Sequence, residues 1–524
     1  MKIELFSRII LITVLEIGAE SANILVVNSM PSYSHFIIPF KLTKELASRG
    51  HHVTSINAYP QRTKLPNYTD VPVVENIPLI EEMKQKMFAR GSNGMFENLF
   101  SLFDMTAVIT NSTLYNKNVQ KLLNSDKKFD LVIIEHFFND AFVGFGHHFN
   151  APVIFVSTQA ASAMNGYVFA NPLPFSYVSG NGGTLTKHMN FWQRIQNLLM
   201  HSVFNTLIHF YHLPKQSNIF KSYVQDAEMV QVLYNTSLML TNSHVSVSGA
   251  IPLVPSIIEI GGLHVTTKRL PDDLQTFLDN AVEGVIVFSM GSNLKCEDLK
   301  LETRESILKA FSKIKQKVLW KYESNLPDTP ENVKISPWLP QQDVLAHPNV
   351  KVFVTHGGRL STIEAIYFGV PLVGIPVFGD QLSNIATAAA DGYAVKINLE
   401  ELSEQTLSSA LNEVLTNPRY KEAAQERSNL LHDQLLTPME SAIFWVEHVI
   451  RHRGAPHLKT AGVDLKWYQR EMVDVIVFLL AVVTIMILFH SLLFESAREK
   501  KEGCLKWYTG KLGFEEVEVG KEGV

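Results

Sequence analysis

Apolar residues along this chain alternate between short unbroken runs and longer stretches at helical spacing. Residues 23–29 read as a buried strand, four aliphatic residues bounded by polar ones. Residues 34–49 then carry Phe36, Ile37, Phe40, Leu42 and Leu46 at helical spacing, and Gly50 is placed to end the helix in a left-handed cap. Residues 53–58 are strand-like again. Strand, helix, strand at this spacing predicts a βαβ unit, and with it a parallel sheet flanked by helices. The alternation recurs with a strand at 129–135, a helix at 140–149 and a strand at 153–157. A second series begins near Gly284, with strands at 285–289, 318–322, 350–355 and 370–375 and helices at 306–314, 360–368 and 382–390. Further helices reach Arg451, and the Pro- and Gly-bearing stretch 251–271 reads as a hinge. The expected fold is α/β, with two doubly wound halves facing each other across a cleft. In such sheets ligands sit at the carboxyl ends of the strands.

Residues 190–212 form a long helical stretch that is apolar on more than one side, with Phe191, Trp192, Ile195, Leu198, Leu199, Val203, Phe204, Leu207 and Ile208. It reads as a core helix. A wall of an oily pocket, or a surface that dips into a membrane, is the alternative. Residues 96–108 are similar and shorter.

Both ends carry targeting patterns. Lys2 and Arg8 precede an apolar stretch at 9–15, and Ala19, Ser21 and Ala22 follow, as in a signal peptide. Residues 475–494 are apolar apart from Thr484, His490 and Ser491, enough to span a bilayer. Trp467 and Tyr468 stand where an aromatic belt would lie, and Arg498, Lys500 and Lys501 place the tail in the cytosol. Sequons at Asn67, Asn111 and Asn235 agree with a lumenal body. The expected organisation is a signal peptide (1–22), an N-terminal acceptor-binding Rossmann-like domain (23–265), a linker (266–283), a C-terminal Rossmann-like donor-binding domain (284–455), a juxtamembrane segment (456–472), a transmembrane helix (473–494) and a cytosolic tail (495–524).

A net charge of −5 over 524 residues leaves no basic field to hold nucleic acid. Cys296 and Cys504 are expected on opposite sides of the membrane, so the fold is expected to rest on core burial and not on a disulfide.

The richest segment runs from Trp338 to Gln381. It holds Trp338-Leu-Pro-Gln341, Thr355-His-Gly-Gly358, Ser361-Thr-Ile-Glu364, Gly369-Val-Pro371 and Asp380-Gln381. The glycines after the 350–355 strand allow close backbone approach, and the helix they open offers free N–H groups, an arrangement suited to a diphosphate. Glu364 stands one turn in, where a ribose diol would find an acceptor, and Trp338 offers a flat face for a base.

This ordered run resembles the signature of the UDP-glycosyltransferase family, which holds animal glucuronosyl- and glucosyltransferases and plant glucosyltransferases. The residues Phe288-Ser-Met-Gly-Ser292 and Gly261-Gly-Leu and the two terminal signals agree with it. The resemblance implies the GT-B arrangement of two Rossmann-like domains, with Trp338 on uracil and Gln341 on the nucleoside. It puts Glu364 on the ribose, Ser292, His356, Gly358 and Ser361 around the diphosphate, and Asp380 and Gln381 on the donor sugar. Arg359 stands where animal members usually have an apolar residue, and its guanidinium is expected to point to solvent, with a place beside the diphosphate, where it would tighten donor binding, as the alternative.

Glycosyl transfer needs the acceptor hydroxyl deprotonated as it attacks, work suited to an imidazole oriented by a carboxylate. The family places its base where His35 stands here, between the first strand and the first helix. Its partner is expected to be Glu135, with Asp140 as the alternative. The expected reaction is inverting hexosyl transfer, glucose most of all, to a hydroxyl of a small lipophilic acceptor, for detoxification or metabolite conjugation. The run Ile133-Ile-Glu-His-Phe-Phe-Asn-Asp140 looks most like insect members, which mostly use UDP-glucose. UDP-glucuronate is the alternative donor, and a non-catalytic membrane-anchored nucleotide-sugar-binding protein is the rival reading. No metal and no cofactor are expected, since a helix N-terminus and hydrogen bonds can balance the diphosphate. His51-His52, His147-His148 and His209-x-x-His212 read as structural. By the same resemblance the enzyme is a single-pass type I protein of the endoplasmic reticulum membrane with its catalytic domains lumenal. Its partners are the UDP-sugar, the acceptor and membrane lipid, with assembly into a homo-oligomer left open.

Overall fold

The computed structural model describes residues 21–89, 95–180, 183–291, 299–324 and 326–511. Residues 1–20 of the expected signal peptide, Ser292 and Cys296 lie outside the described residues. The chain divides into two compact units, Met1–Thr460 and Ala461–Val524.

The first unit holds two parallel sheets. In one, seven strands lie in the order β3-β2-β1-β4-β5-β6-β7. They are β1 (Asn23–Asn28), β2 (His52–Asn57), β3 (Tyr68–Pro72), β4 (Leu131–Glu135), β5 (Val153–Ser157), β6 (Leu238–Thr241) and β7 (Ile257–Glu259). In the other, six strands lie in the order β10-β9-β8-β11-β12-β13. They are β8 (Val285–Ser289), β9 (Lys317–Lys321), β10 (Val333–Ser336), β11 (Val350–Thr355), β12 (Leu372–Gly374) and β13 (Ala394–Lys396). The order reverses between β1 and β4 in the first sheet and between β8 and β11 in the second. Both are doubly wound, the GT-B architecture, and both put a crevice at the carboxyl ends of those central strands.

Central strands form where the sequence is apolar without interruption, because a parallel sheet is covered on both faces. Leu25, Val27, Val132, Ile134 and Phe155 feed the core on one face of the first sheet. Their neighbours Ile24, Val26, Ile133 and Ile154 feed the core on the other. Each side chain so buried contributes roughly 1.5–3 kcal/mol.

The helices of the first unit include α1 (Tyr33–Ser48), α2 (Phe191–Leu207), α3 (Arg359–Tyr367), α4 (Gln381–Ala390) and α5 (Pro438–His452), and the second unit holds α6 (Val473–Lys511). Helix α1 ends at Arg49 and Gly50, whose φ of +98° a side chain would strain. Helix α5 starts at a capping box between Thr437 and Glu440 and follows the second sheet in sequence. Its buried Ala442, Ile443, Val446 and Val449 nevertheless join the core of the first sheet with Ile24 and Val26.

Helix α2 departs from the core reading of its sequence. Phe204 is buried, but Phe191, Trp192, Leu198 and Leu199 are exposed. The second unit contains α6, whose 39 residues are long and apolar enough to cross a membrane. The sequon residues Asn67, Asn111 and Asn235 are all exposed.

Candidate active site

The crevice of the first sheet is built around His35 and Glu135. His35 sits in the first turn of α1, directly after β1, and Glu135 is the last residue of β4. Because β1 and β4 are the strands where the order reverses, the two meet at the switch point. His35 Nδ1 lies 2.7 Å from Glu135 Oε1. Glu135 is fully buried, while 14% of the His35 side chain is exposed. An ionised carboxylate can only accept, so Nδ1 carries the proton and Nε2 is left as the basic nitrogen. Thr158 Oγ1 stands 3.4 Å from the same Nδ1, and the ring of Phe137 packs edge-on against the imidazole at 4.5 Å.

Asp140 is elsewhere. Its Oδ1 accepts from Tyr167 Oη at 2.6 Å and lies 3.1 Å from His136 Nε2, and its Oδ2 meets His212 Nε2. Burial raises this carboxyl, but the hydrogen bonds from His136 and His212 outweigh it and hold it well below the usual carboxylate range. Of the two carboxylates offered as partners for His35, the contact belongs to Glu135, and Asp140 is spent on a buried polar cluster.

The second crevice surrounds His356, which follows β11 at the other switch point. Its ring is clamped between two glycines. A Cβ on Gly291 would lie 2.5 Å from His356 Cε1, and one on Gly358 would lie 2.6 Å from Nε2. Burial, helped by the nearby Lys321 ammonium, pushes the His356 imidazole down to about 4. It is therefore neutral at physiological pH, with one N–H to offer. Gly358 caps α3, whose first turn presents unpaired N–H groups and Ser361.

Glu364 organises the nucleoside side. Its Oε2 accepts from Gln341 Nε2 at 2.5 Å and its Oε1 from Gln342 Nε2 at 2.8 Å, while His264 Nε2 lies 3.2 Å from Oε1. Gln341 also donates to Ser361 Oγ at 3.2 Å. Trp338 leaves 58% of its surface exposed, an open flat face. At the start of α4, Asp380 Oδ2 accepts from Asn384 Nδ2 at 2.8 Å. Burial raises the Asp380 carboxyl, opposed by Asn384, Arg359 and His35. The Gln381 carbonyl accepts from the backbone of Val377 and Phe378, which leaves its NH2 for a ligand.

The two crevices face each other. Tyr33, two residues before His35, packs edge-on against Trp338 with ring centroids 6.0 Å apart. Asp380 feels the charge of His35. Imidazole, indole and Asp380 thus border one cleft.

Arg359 corrects an expectation. It is buried, not solvated. Its Nε donates to the Asn242 carbonyl at 3.2 Å, Nη2 to Ser248 Oγ, and Nη1 to Asn384 Oδ1 at 3.4 Å. The guanidinium ties the donor helix α3 to the segment that follows β6.

Lys321, Gln342, His264, Thr158 and Phe137 join the site without having been expected from the sequence. Lys321 is the last residue of an apolar strand and Gln342 follows Gln341, so nothing local marked either. His264 follows Gly261-Gly-Leu, and that neighbourhood was its only signal. Among the described residues, no three His, Cys, Asp or Glu side chains converge as metal ligands.

The chain is similar to known proteins over most of its length. Residues 22–504 match the family model for UDP-glucoronosyl and UDP-glucosyl transferase. The UDP-glycosyltransferase UGT5 of Dactylopius coccus is 38% identical over 486 residues, covering 90% of this chain and 91% of the relative. The UDP-glucosyltransferase 2 of the same organism is 34% identical over 489 residues, covering 90% and 92%. Among solved structures, a UDP-glucose: anthocyanidin 3-O-glucosyltransferase in complex with UDP shares the fold with a TM-score of 0.56 at 15% identity, covering 82% of this chain and 99% of that one.

Proposed function

The chain belongs to the UDP-glucoronosyl and UDP-glucosyl transferase family, and on that premise we propose that it transfers glucose from UDP-glucose, with inversion, to a hydroxyl of a small lipophilic acceptor. The observation that carries the chemistry is the 2.7 Å contact between His35 and a wholly buried Glu135, across a cleft from the glycine-clamped His356.

In this reading His35 Nε2 takes the acceptor proton as the oxygen attacks the anomeric carbon. Glu135 holds the ring and stabilises the imidazolium that forms. The bond from the anomeric carbon to the diphosphate oxygen breaks, and the electron pair leaves with UDP. The departing charge is met by the neutral His356 N–H, Ser361, and the backbone around Gly358 at the start of α3, with Ser292 as a further donor. Trp338 stacks on uracil. A ribose diol exchanges with Gln341 on Glu364, which frees the glutamine for the nucleoside. Asp380 and the Gln381 NH2 hold sugar hydroxyls. These groups balance the diphosphate without calling on a metal.

Glucose as donor is supported by the Dactylopius coccus relative whose name is UDP-glucosyltransferase. The family description also allows glucuronate. The lobes are proposed to be lumenal, anchored in the endoplasmic reticulum membrane by α6, with conjugation of lipophilic metabolites or toxins as the role.

The test is UDP release by the purified full-length protein with UDP-glucose and UDP-glucuronate, against a panel of phenols, flavonoids and steroids. His35→Ala should cut turnover by about 10²-fold or more, the usual scale of general-base catalysis, with UDP binding kept. A His35→Ala protein that turns over like the wild type removes the base from the mechanism.

A further inference from the structure

Helix α5 ends in a corner that crowds three imidazoles. His448 and His452 stand four residues apart on α5, so both lie on one face. Past the helix the chain doubles back, with Arg453 at a left-handed φ of +51° and Gly454 at +122°. Ala455 then enters the same core as Val446 and Val449, and the short turn Pro456–Leu458 follows. That anchor sets His457 against the helix. His448 Nε2 and His457 Nε2 lie 3.2 Å apart. Ring centroids are 4.5 Å apart for His448 and His452, 5.2 Å for His448 and His457, and 6.3 Å for His452 and His457.

Two imidazole nitrogens on a tetrahedral zinc ion, with bonds of about 2.0–2.1 Å, stand about 3.3 Å apart, and their ring centroids about 5.2 Å apart. The His448–His457 pair meets both values. The two separations that involve His452 fall on either side of the ideal, so the three rings do not converge as they stand. His452 is exposed, and its side chain can change rotamer toward the other two. Desolvation, and then the neighbouring His452, His457 and Arg451, lower the His448 imidazole and keep it in the neutral form that binds metal. Arg451 opposes a cation here, but its Nη1 lies 3.5 Å from Glu447 Oε2, which supplies the offsetting charge.

We propose that His448, His452 and His457 hold a zinc ion, with water in the fourth position. An all-imidazole set suits zinc and its transition-metal neighbours and rejects magnesium and calcium, which take oxygen ligands. The ion joins the last turns of α5 to the turn that follows and so staples this corner of the first unit. None of the three histidines belongs to either crevice, so the ion takes no part in glycosyl transfer.

The test uses the full-length chain, purified in detergent without a polyhistidine tag, as wild type and as His448→Gln, His452→Gln and His457→Gln. Each protein is stripped with EDTA, and its thermal midpoint is measured before and after zinc is added. His452 and His457 are exposed, so their stripped variants should melt with the stripped wild type, which certifies the fold. Wild type should retain one equivalent of zinc more than each variant after gel filtration. Each substitution should weaken zinc binding by about a hundredfold, beyond the loss typical of a group that only orients a ligand. Zinc should raise the midpoint of wild type alone, and magnesium should raise none. Equal zinc content and equal midpoint shifts in wild type and His457→Gln overturn the proposal. Equal shifts from zinc and magnesium also overturn it, because ionic strength is then the cause. A His452→Gln protein that keeps the extra zinc overturns the three-ligand site.

Discussion

Replacing Glu135 by Gln tests the centre of the mechanism with the smallest change of shape. The carboxylate is fully buried, so water does not screen it from the imidazole. As the acceptor proton reaches His35, a positive ring forms beside a negative carboxylate. With charge centres about 4 Å apart and an effective dielectric of about 20, the attraction is roughly 4 kcal/mol. Its loss corresponds to about 10³-fold in rate. The glutamine carbonyl can still accept from Nδ1, so the tautomer persists and the penalty is chiefly the missing charge. Glu135 Oε2 has no hydrogen-bond partner among the described residues, so a glutamine NH2 placed there would be unsatisfied. Because the wild-type oxygen is already unpaired there, the exchange leaves the cost of folding nearly unchanged, separate from the rate. The measurement is kcat at saturating donor and acceptor for wild type, Glu135→Gln and Glu135→Asp, with the Kd for UDP and the thermal midpoint of each. Glu135→Gln should fall about 10³-fold in kcat with its UDP affinity unchanged, and Glu135→Asp, one methylene shorter, should fall in between. A Glu135→Gln enzyme within about tenfold of wild type, folded and binding UDP, refutes a charge role for this residue.

Trp338→Ala should weaken UDP binding by about tenfold to a hundredfold, the roughly 1–3 kcal/mol of one base stack, as read by calorimetry. His356 gives a pH prediction: its folded value near 4 lies below the ordinary 6.5, so the unfolded chain binds more protons between them. Stability is therefore whole above pH 6.5 and falls on acidification towards pH 4, by up to about 3 kcal/mol from this residue, and denaturation of His356→Gln should show a flatter acid limb. Arg359→Leu installs an apolar residue but strands the Asn242 carbonyl, Ser248 and the half-buried Glu259. It should cost about 3 kcal/mol, and an unchanged thermal midpoint would show the guanidinium is not holding the two segments.

Most central strands were legible because a sheet covered on both faces demands unbroken apolar runs, but β6 (Leu238–Thr241), short and preceded by Asn235-Thr-Ser, was missed, and the strand order came only with the structure. The edge strands were not legible. β3 (Tyr68–Pro72) and β10 (Val333–Ser336) mix polar and apolar residues because one flank meets solvent, and nothing local separates them from loops. Periodicity located α2 but not its buried side, since Asn197 is made internal by carbonyls about twenty residues earlier, a contact no local pattern contains. Arg359 escaped for the same reason, its acceptors Asn242 and Ser248 lying more than a hundred residues away. Glu135 and Asp140 stand five residues apart and look alike as acids. What separates them is His212, brought in from 72 residues further on.

The path of α5 has a mechanical result. Having built the second lobe, the polypeptide returns to finish the first, so the lobes are linked by two covalent strands. A body hung on one thread can swing in any direction. Hung on two, it is restrained most about every axis except the line through both points of attachment. Of the ways the lobes could move apart, rotation about the line through both crossings is the one that two attachments resist least.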